Sequence, residues 1–260
     1  MAEEKKVLLV LMEGPNDERS TYSHIETFVE KVSLGLKTQQ KPIFYDITNQ
    51  TEKKTFIDTQ HIKSLINKKI NEALREYHIS KKDLSKVILI IDIDGVYLDD
   101  DLFIENPSIE HIEYNEKYVL CKNKKSILDR NERKRNNINF LLNYAKYLMG
   151  VPFKVYFYSC NSEHVIFDEM NCSEERKREL SNESMNMDDE LFWRNICSET
   201  VTLSNDYEDS WNIVSDIDDL IPRCTNLNTL YLELRANIEE KGKEEKTYGE
   251  NENQHKRDTE

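Results

Sequence analysis

Apolar and polar positions alternate in blocks along this chain, and the blocks predict strands and helices in turn. Val7 to Met12, VLLVLM, reads as a buried strand that runs into Glu13-Gly14-Pro15-Asn16-Asp17-Glu18. From about Ser20 the apolar positions Tyr22, Ile25, Val29 and Val32 follow helical spacing. Pro42 to Ile47 is expected to be a short strand. His61 to Tyr77 then carries Ile62, Leu65, Ile66, Ile70, Ala73, Leu74 and Tyr77 on one helical face. A second buried strand, Val87 to Ile91, ends in Asp92, Asp94 and Gly95.

Beyond it, Leu98 to Lys125 is polar and poorly periodic and reads as an active-site loop region. Ile127, Ile138, Leu141, Leu142, Ala145 and Leu148 then predict a helix from Ser126, stopped by Gly150-Val151-Pro152. Phe153 to Tyr158 is the fourth strand, followed by Ser159-Cys160-Asn161-Ser162-Glu163-His164. The order β-α-β-α-β-α-β calls for an α/β fold: a mainly parallel, Rossmann-like sheet flanked by helices. The rest is expected to form a helical and acidic C-terminal extension over 171–238, with short helices at Asp188–Cys197 and Thr225–Ile238 joined by an acidic loop, Ser204–Asp219. The charged residues 239–260 are expected to be a disordered tail.

Composition narrows the picture. One residue in three is charged, and the net charge of −14 disfavours indiscriminate binding to nucleic acid or anionic membrane, although it leaves room for a local basic groove. No apolar run approaches the roughly 20 residues that span a bilayer, and Val7 to Met12 is too short for a signal-peptide core, so a soluble cytoplasmic protein is expected. The five cysteines show no CxxC spacing, and no two histidines form an HxxxH or HxH pair, which argues against a disulfide framework and a zinc site.

The acids at the strand ends are the candidate chemistry. Asp92 and Asp94, separated by one residue, are expected on the same side of the pleat at the carboxyl end of a parallel strand, where such sheets leave a crevice for ligands. Such a pair repels itself unless something positive intervenes, and Mg²⁺ is the simplest candidate. Solvated acids at a strand-to-loop turn are the alternative. The first and third strands of a βαβαβ unit can lie close together, so Glu13 can share the same cation.

Glu13-Gly14 with Asp17, each after an apolar strand and in this order with Asp92-Ile93-Asp94, resembles the Toprim domain of primases, topoisomerases, and OLD-type and RloB-like nucleases. The resemblance covers roughly Lys5 to Asp168. It implies a catalytic domain over 1–170 that hydrolyses phosphodiester bonds with Mg²⁺ or Mn²⁺. Asp92 and Asp94 would hold the metal, with Glu13 as a further ligand or the acid/base group. Asn161-Ser162-Glu163-His164 is similar to an element found at the same place in RloB-like chains, making Glu163 a catalytic candidate and His164 a candidate proton-transfer group; capping of a helix start is the alternative for both. The resemblance further implies an effector of anti-phage, abortive-infection defence. Nucleic acid, DNA or RNA, is the expected substrate. A separate ATPase subunit is a candidate partner because the chain has no GxxxxGK[ST] loop, a second copy of the chain is another, and no membrane partner is expected.

Lys124, Lys125, Arg130, Arg133, Lys134 and Arg135 form a basic strip that can track phosphates, or else a solvated helix face. Asp99, Asp100 and Asp101 can add a ligand, but a solvated acidic loop is the plainer reading of them. Asp92-Ile93-Asp94-Gly95-Val96 also resembles the first motif of haloacid-dehalogenase-like phosphatases. That likeness implies Asp92 as nucleophile, Asp94 as acid/base, Ser159 as phosphate binder and Asp218-Asp219 as magnesium ligands. A catalytically inactive, Toprim-like binding subunit is the third reading.

Overall fold

The computed structural model describes residues 6–13, 21–31, 36–42, 49–50, 55–115, 117–217 and 222–236. At its centre, strands β1 (Lys6–Met12), β2 (Leu36–Pro42), β5 (Leu84–Asp92) and β10 (Val151–Tyr158) run parallel, and only the short edge strand β9 (Tyr147–Leu148) is antiparallel. Together they form a five-stranded sheet in the order β2-β1-β5-β10-β9. Helices α1 (Ser23–Lys31), α2 (Thr59–Glu76) and α3 (Lys124–Tyr144) supply the crossovers. A two-stranded pair, β3 (Asn49–Gln50) and β4 (Thr55–Phe56), precedes α2.

The three inner strands are apolar on both faces because both faces are covered. Val7, Leu9, Leu11, Val87, Leu89, Ile91, Val155 and Phe157 pack under α2 and α3, with Ile62, Ile66, Ile70, Ile138 and Leu141. Leu8, Val10, Met12, Ile88, Ile90, Tyr156 and Tyr158 meet Tyr22, Ile25 and Val29 on the other side.

The C-terminal part contributes to both layers. Helices α4 (Ser162–Phe167), α6 (Asp189–Ile196) and one over 227–236, here α8, bury Val165, Phe192, Trp193, Leu227 and Leu230 on the α1 side. Helix α7 (Tyr207–Ser215) buries Trp211 and Val214 on the α2 side, within the stretch expected to be an acidic loop. Helix α5 (Glu174–Met185) is a further element that the sequence pattern does not predict.

One further expectation is corrected, and others lie outside the described residues. The second strand of the sheet lies at Leu36–Pro42; the expected strand at Pro42–Ile47 falls largely outside the described residues, as do Asp218, Asp219 and the 239–260 tail. The polar region Leu98–Lys125 is not a plain loop. Its strands β6 (Phe103–Glu105), β7 (Glu113–Tyr114) and β8 (Val119–Cys121) form a small sheet in the order β6-β8-β7, over a cluster of Leu98, Phe103, Tyr114, Val119, Cys121 and Cys160.

Beyond β9, side chains close the open edge of β10. The Tyr207 hydroxyl donates to the Val155 carbonyl (2.9 Å) and accepts from its amide (3.1 Å), while Trp211 Nε1 donates to the same carbonyl (3.2 Å). Asn226 Oδ1 accepts from the Phe157 amide (2.9 Å), and Thr225 Oγ1 donates to the Phe157 carbonyl (2.6 Å). An exposed row of strand amides is thereby satisfied without another strand.

Candidate acidic site at the carboxyl edge of the sheet

Glu13 directly follows β1, and Asp92 is the last residue of the neighbouring β5. The Glu13 amide donates to the Ile90 carbonyl (3.2 Å), which extends the pairing by one residue, and Glu13 Oε2 accepts the Asp92 amide (3.0 Å). The sheet thus brings together the acids that end its first two long apolar strands, β1 and β5.

Asp94 is placed differently from expectation. Strand β5 stops at Asp92, so the pleat does not set the direction of Asp94. Asp94 (φ +50°) and Gly95 (φ +64°) both adopt the left-handed conformation. Asp tolerates that region better than most residues and Gly adopts it freely. Strand β10 and its extension fix the turn: the amides of Ile93, Asp94 and Gly95 donate to the carbonyls of Tyr158 (2.9 Å), Cys160 (3.3 Å) and Ser159 (3.3 Å). Tyr114 of the small sheet adds a longer bond from its hydroxyl to the Asp94 carbonyl (3.4 Å).

The positive group between these acids comes from the chain itself. Lys134 Nζ donates to Asp94 Oδ2 (2.7 Å) and to Glu13 Oε1 (3.2 Å). Its side chain is 1% exposed, against 9% for Glu13 and 25% for Asp94. Lys134 therefore does not join a phosphate-tracking strip. Helical periodicity puts it one turn before Ile138 and two before Leu141, on the face of α3 that packs on the sheet. Buried Asn131 and Asn137 share that side of the helix, with Asn137 Nδ2 bonded to the Ile57 carbonyl (2.9 Å).

Of the remaining basic candidates, Lys125 is exposed and Lys124, Arg130, Arg133 and Arg135 are half-buried. Arg130 is directed onto Asn131 Oδ1 (2.8 and 3.1 Å) and lies beside Tyr114. Asp99, Asp100 and Asp101 are exposed, and Asp99 accepts the Asp101 amide (2.9 Å) as a local cap.

Glu163 lies on the same side of the structure. Burial (6% exposed) raises its pKa above the usual carboxylate range. Burial also lowers the pKa of His164, which is 4% exposed and whose Nδ1 has no hydrogen-bond partner among the described residues; it is therefore a neutral core histidine more than a solvent-facing proton carrier. Asn161 caps α4, accepting the His164 amide (2.9 Å), so the helix-capping reading of this element holds for Asn161.

Cys160 and Lys177, neither anticipated from sequence, join these groups. The buried Cys160 thiol is pushed well above its ordinary pKa by burial and by the nearby charges of Asp94, Asp92 and Glu163. For Lys177 of α5, burial opposes the charge, but a hydrogen bond to Glu174 (3.2 Å) and the fields of Glu163, Glu174 and Asp92 outweigh it and raise the pKa. Neither carries a sequence signal: Cys160 is one of five scattered cysteines and Lys177 one of many exposed-looking charges.

Ser159 is committed elsewhere. Its hydroxyl donates to the Pro222 carbonyl and accepts the Cys224 amide (3.0 Å), which ties the C-terminal segment to the end of β10.

The donors at the site are oxygens, which suit a hard divalent cation. Among the described residues no three His, Cys, Asp or Glu side chains form a ready metal cage. Mg²⁺ does not require one, since it is commonly held by one or two carboxylates, with water and substrate phosphate completing the octahedron. Asp92 and Asp94 offer two such carboxylates, with one Asp94 oxygen taken by Lys134 Nζ (2.7 Å), and Glu13 is turned onto Lys134 and the Asp92 amide. A cavity of about 800 Å³ lined by Lys86, Lys154, Tyr207, Trp211 and Glu233 lies apart from these residues.

Fold and site together define an α/β protein with a lysine-bridged acidic centre at the carboxyl edge of a largely parallel sheet. Comparisons with protein-family models, with curated proteins and with solved structures found no match. No helix among the described residues is long and apolar enough to cross a membrane.

Proposed function

We propose that this chain is a divalent-metal-dependent phosphodiesterase of Toprim type that acts on nucleic acid. The observation that carries the reading is the convergence of Glu13 with Asp92 and Asp94. Acids from strands separated by two crossovers meet through an amide at 3.0 Å and a shared ammonium at 3.2 and 2.7 Å. Acids brought together at such a carboxyl edge, with one in a left-handed turn, are costly to a fold and are a feature of functional sites.

In this reading Asp92 and Asp94 hold Mg²⁺ or Mn²⁺. The ion supplies charge stabilisation for the phosphoryl group under attack. Glu13 fixes the Asp92 backbone and, through Lys134, the orientation of the Asp94 carboxylate. Glu163, protonated more readily than an exposed glutamate, is suited to proton transfer at the leaving oxygen. Lys124 and Lys125, at the start of α3, are placed to meet phosphates. A role in anti-phage defence, an ATPase partner and self-association belong to the same proposal and rest on the resemblance alone.

The phosphatase reading needs Ser159 to bind phosphate, and the two bonds of its hydroxyl to the 222–224 segment speak against it. The test is cleavage of labelled single- and double-stranded DNA and RNA with Mg²⁺ or Mn²⁺, by the wild type and by Asp92→Asn. Expected is cleavage that chelation and D92N both abolish, with far-UV circular dichroism unchanged. Cleavage retained in folded D92N, or phosphomonoester hydrolysis without nuclease activity, overturns the reading.

A further inference from the structure

We propose that the Lys134 ammonium is a built-in cation: it fills the position between Glu13 and Asp94 that a divalent ion would otherwise take, so the intact site binds one metal ion fewer than its carboxylates invite. The proposal rests on the reading of the site as a cation centre, and its test separates the two.

Position comes first. Nζ lies within hydrogen-bond distance of carboxylate oxygens from two different elements, the end of β1 and the turn after β5. Bridging carboxylates that would otherwise repel is the structural work of a metal ion, and an ammonium with three donors does the same at about half the charge. The group cannot readily leave. Its side chain is 1% exposed, on a helix face held by Ile138, Leu141 and the Asn137 bond to Ile57. Swinging out would leave the buried Glu13 carboxylate and the Asp94 carboxylate without the ammonium that bridges them, an unfavourable arrangement.

Charge points the same way. Counting these four side chains alone, Glu13, Asp92 and Asp94 bring three formal negative charges against one positive on Lys134, a difference that a single divalent ion matches.

Without the ammonium, Glu13 Oε1 and Asp94 Oδ2 become a ready pair of hard oxygen ligands. The experiment counts Mn²⁺ bound per full-length chain, by electron paramagnetic resonance of the free ion and by calorimetric titration, for the wild type, Lys134→Met and the double variant Lys134→Met/Glu13→Gln. Expected is one more Mn²⁺ in K134M than in the wild type, and loss of that extra ion in the double variant. Mn²⁺ should also raise the Tm of K134M more than that of the wild type, because an ion that binds only the folded chain stabilises it. If K134M is unfolded without metal, Mn²⁺ is expected to restore its circular dichroism. Equal counts in wild type and K134M, an extra ion that survives Glu13→Gln, or an unfolded K134M that Mn²⁺ does not rescue would each overturn the proposal. A wild type that binds no Mn²⁺ sinks the metal-centre reading alone, while the gain in K134M still decides this one.

Discussion

Replacing Glu13 by Gln changes one atom and should destabilise the chain more than any other isosteric change at the site. Each carboxylate oxygen accepts from a donor: the Asp92 amide on Oε2 and the Lys134 ammonium on Oε1. A carboxylate accepts at both ends, but a side-chain amide has one oxygen, so either orientation of the substituted group turns an NH₂ against a donor. One hydrogen bond to a charged group, worth roughly 1.5–3 kcal/mol, is lost, and a donor is left facing a donor at a site only 9% exposed, adding about 1 kcal/mol or more. The sum is about 3 kcal/mol. By the same reasoning Asp94→Asn costs less, about 1–2 kcal/mol, because at 25% exposure water can replace what is lost. Urea unfolding at pH 7 checks both. With a slope of about 2–3 kcal/mol/M, E13Q should lower the midpoint by about 1 M and D94N by roughly half that. An E13Q midpoint within about 0.2 M of the wild type at unchanged slope, or the reverse ranking, would refute the assigned geometry.

Glu163 and His164 should impose opposite pH dependences. The folded-state pKa of Glu163 is raised, so the folded chain holds a proton that the unfolded chain releases as pH rises past about 4.5, and stability falls through that window. Glu163→Gln is therefore expected to stabilise the protein at pH 7 and to have little effect near pH 4, with about 1.4 kcal/mol for every tenfold difference in proton affinity between the folded and unfolded chain; equal effects at both pH values would contradict this. For His164 the folded pKa is lowered, so stability falls as pH drops below about 6.5, and His164→Phe should flatten that loss in thermal melts between pH 7 and 5. Tyr207→Phe removes both bonds at Val155; Trp211 still serves the carbonyl, but the amide is orphaned, so a loss of about 2 kcal/mol in urea unfolding is expected, and less than about 0.5 would show that water fills the gap. Ser159→Ala should lower stability by about 2 kcal/mol and weaken nucleic-acid cleavage only in proportion, because its hydroxyl anchors the 222–224 segment that steadies the Asp94 turn, whereas loss of catalysis at full stability would revive a phosphate-binding role.

How legible the chain is depends on whether each residue's environment follows its local pattern. Strands β1, β5 and β10 are buried on both faces and show as plain apolar runs, and α2 shows as a clean helical stripe. β2, LKTQQKP, has no such signal because it is an edge strand that borrows its ladder from β1. The strands of the small sheet, two or three residues each, are too short for any period to emerge. In α7 the spacing of Tyr207, Trp211 and Val214 is present, but the surrounding acids give it the look of a loop. Glu13, Asp92 and Asp94 are legible because a strand end is where an acid needs a reason to be. Lys134 is not, since in the run RNERKRNN its charge looks like that of its neighbours. Only the helical phase, counted back from Ile138 and Leu141, separates a buried lysine from exposed ones.

The late part of the chain matters to a site whose acids all come from its early part. The Asp94-Gly95 turn hangs on the carbonyls of Ser159 and Cys160, and Ser159 is held in turn by the 222–224 segment through its hydroxyl and through its amide, which donates to the Cys224 carbonyl (2.9 Å). One residue away, the Arg223 guanidinium donates to the carbonyls of His164, Val165 and Ile166 (3.1, 3.1 and 3.3 Å), fixing the short helix that carries Glu163. A single strap therefore positions both halves of the candidate site, the turn with Asp94 on one side and Glu163 on the other. Lys134 then joins the turn to the end of β1. The acids are contributed before residue 170, but the backbone that aims two of them is anchored beyond residue 220, so the geometry of the site depends on the C-terminal segment as directly as on the strands that carry its charges.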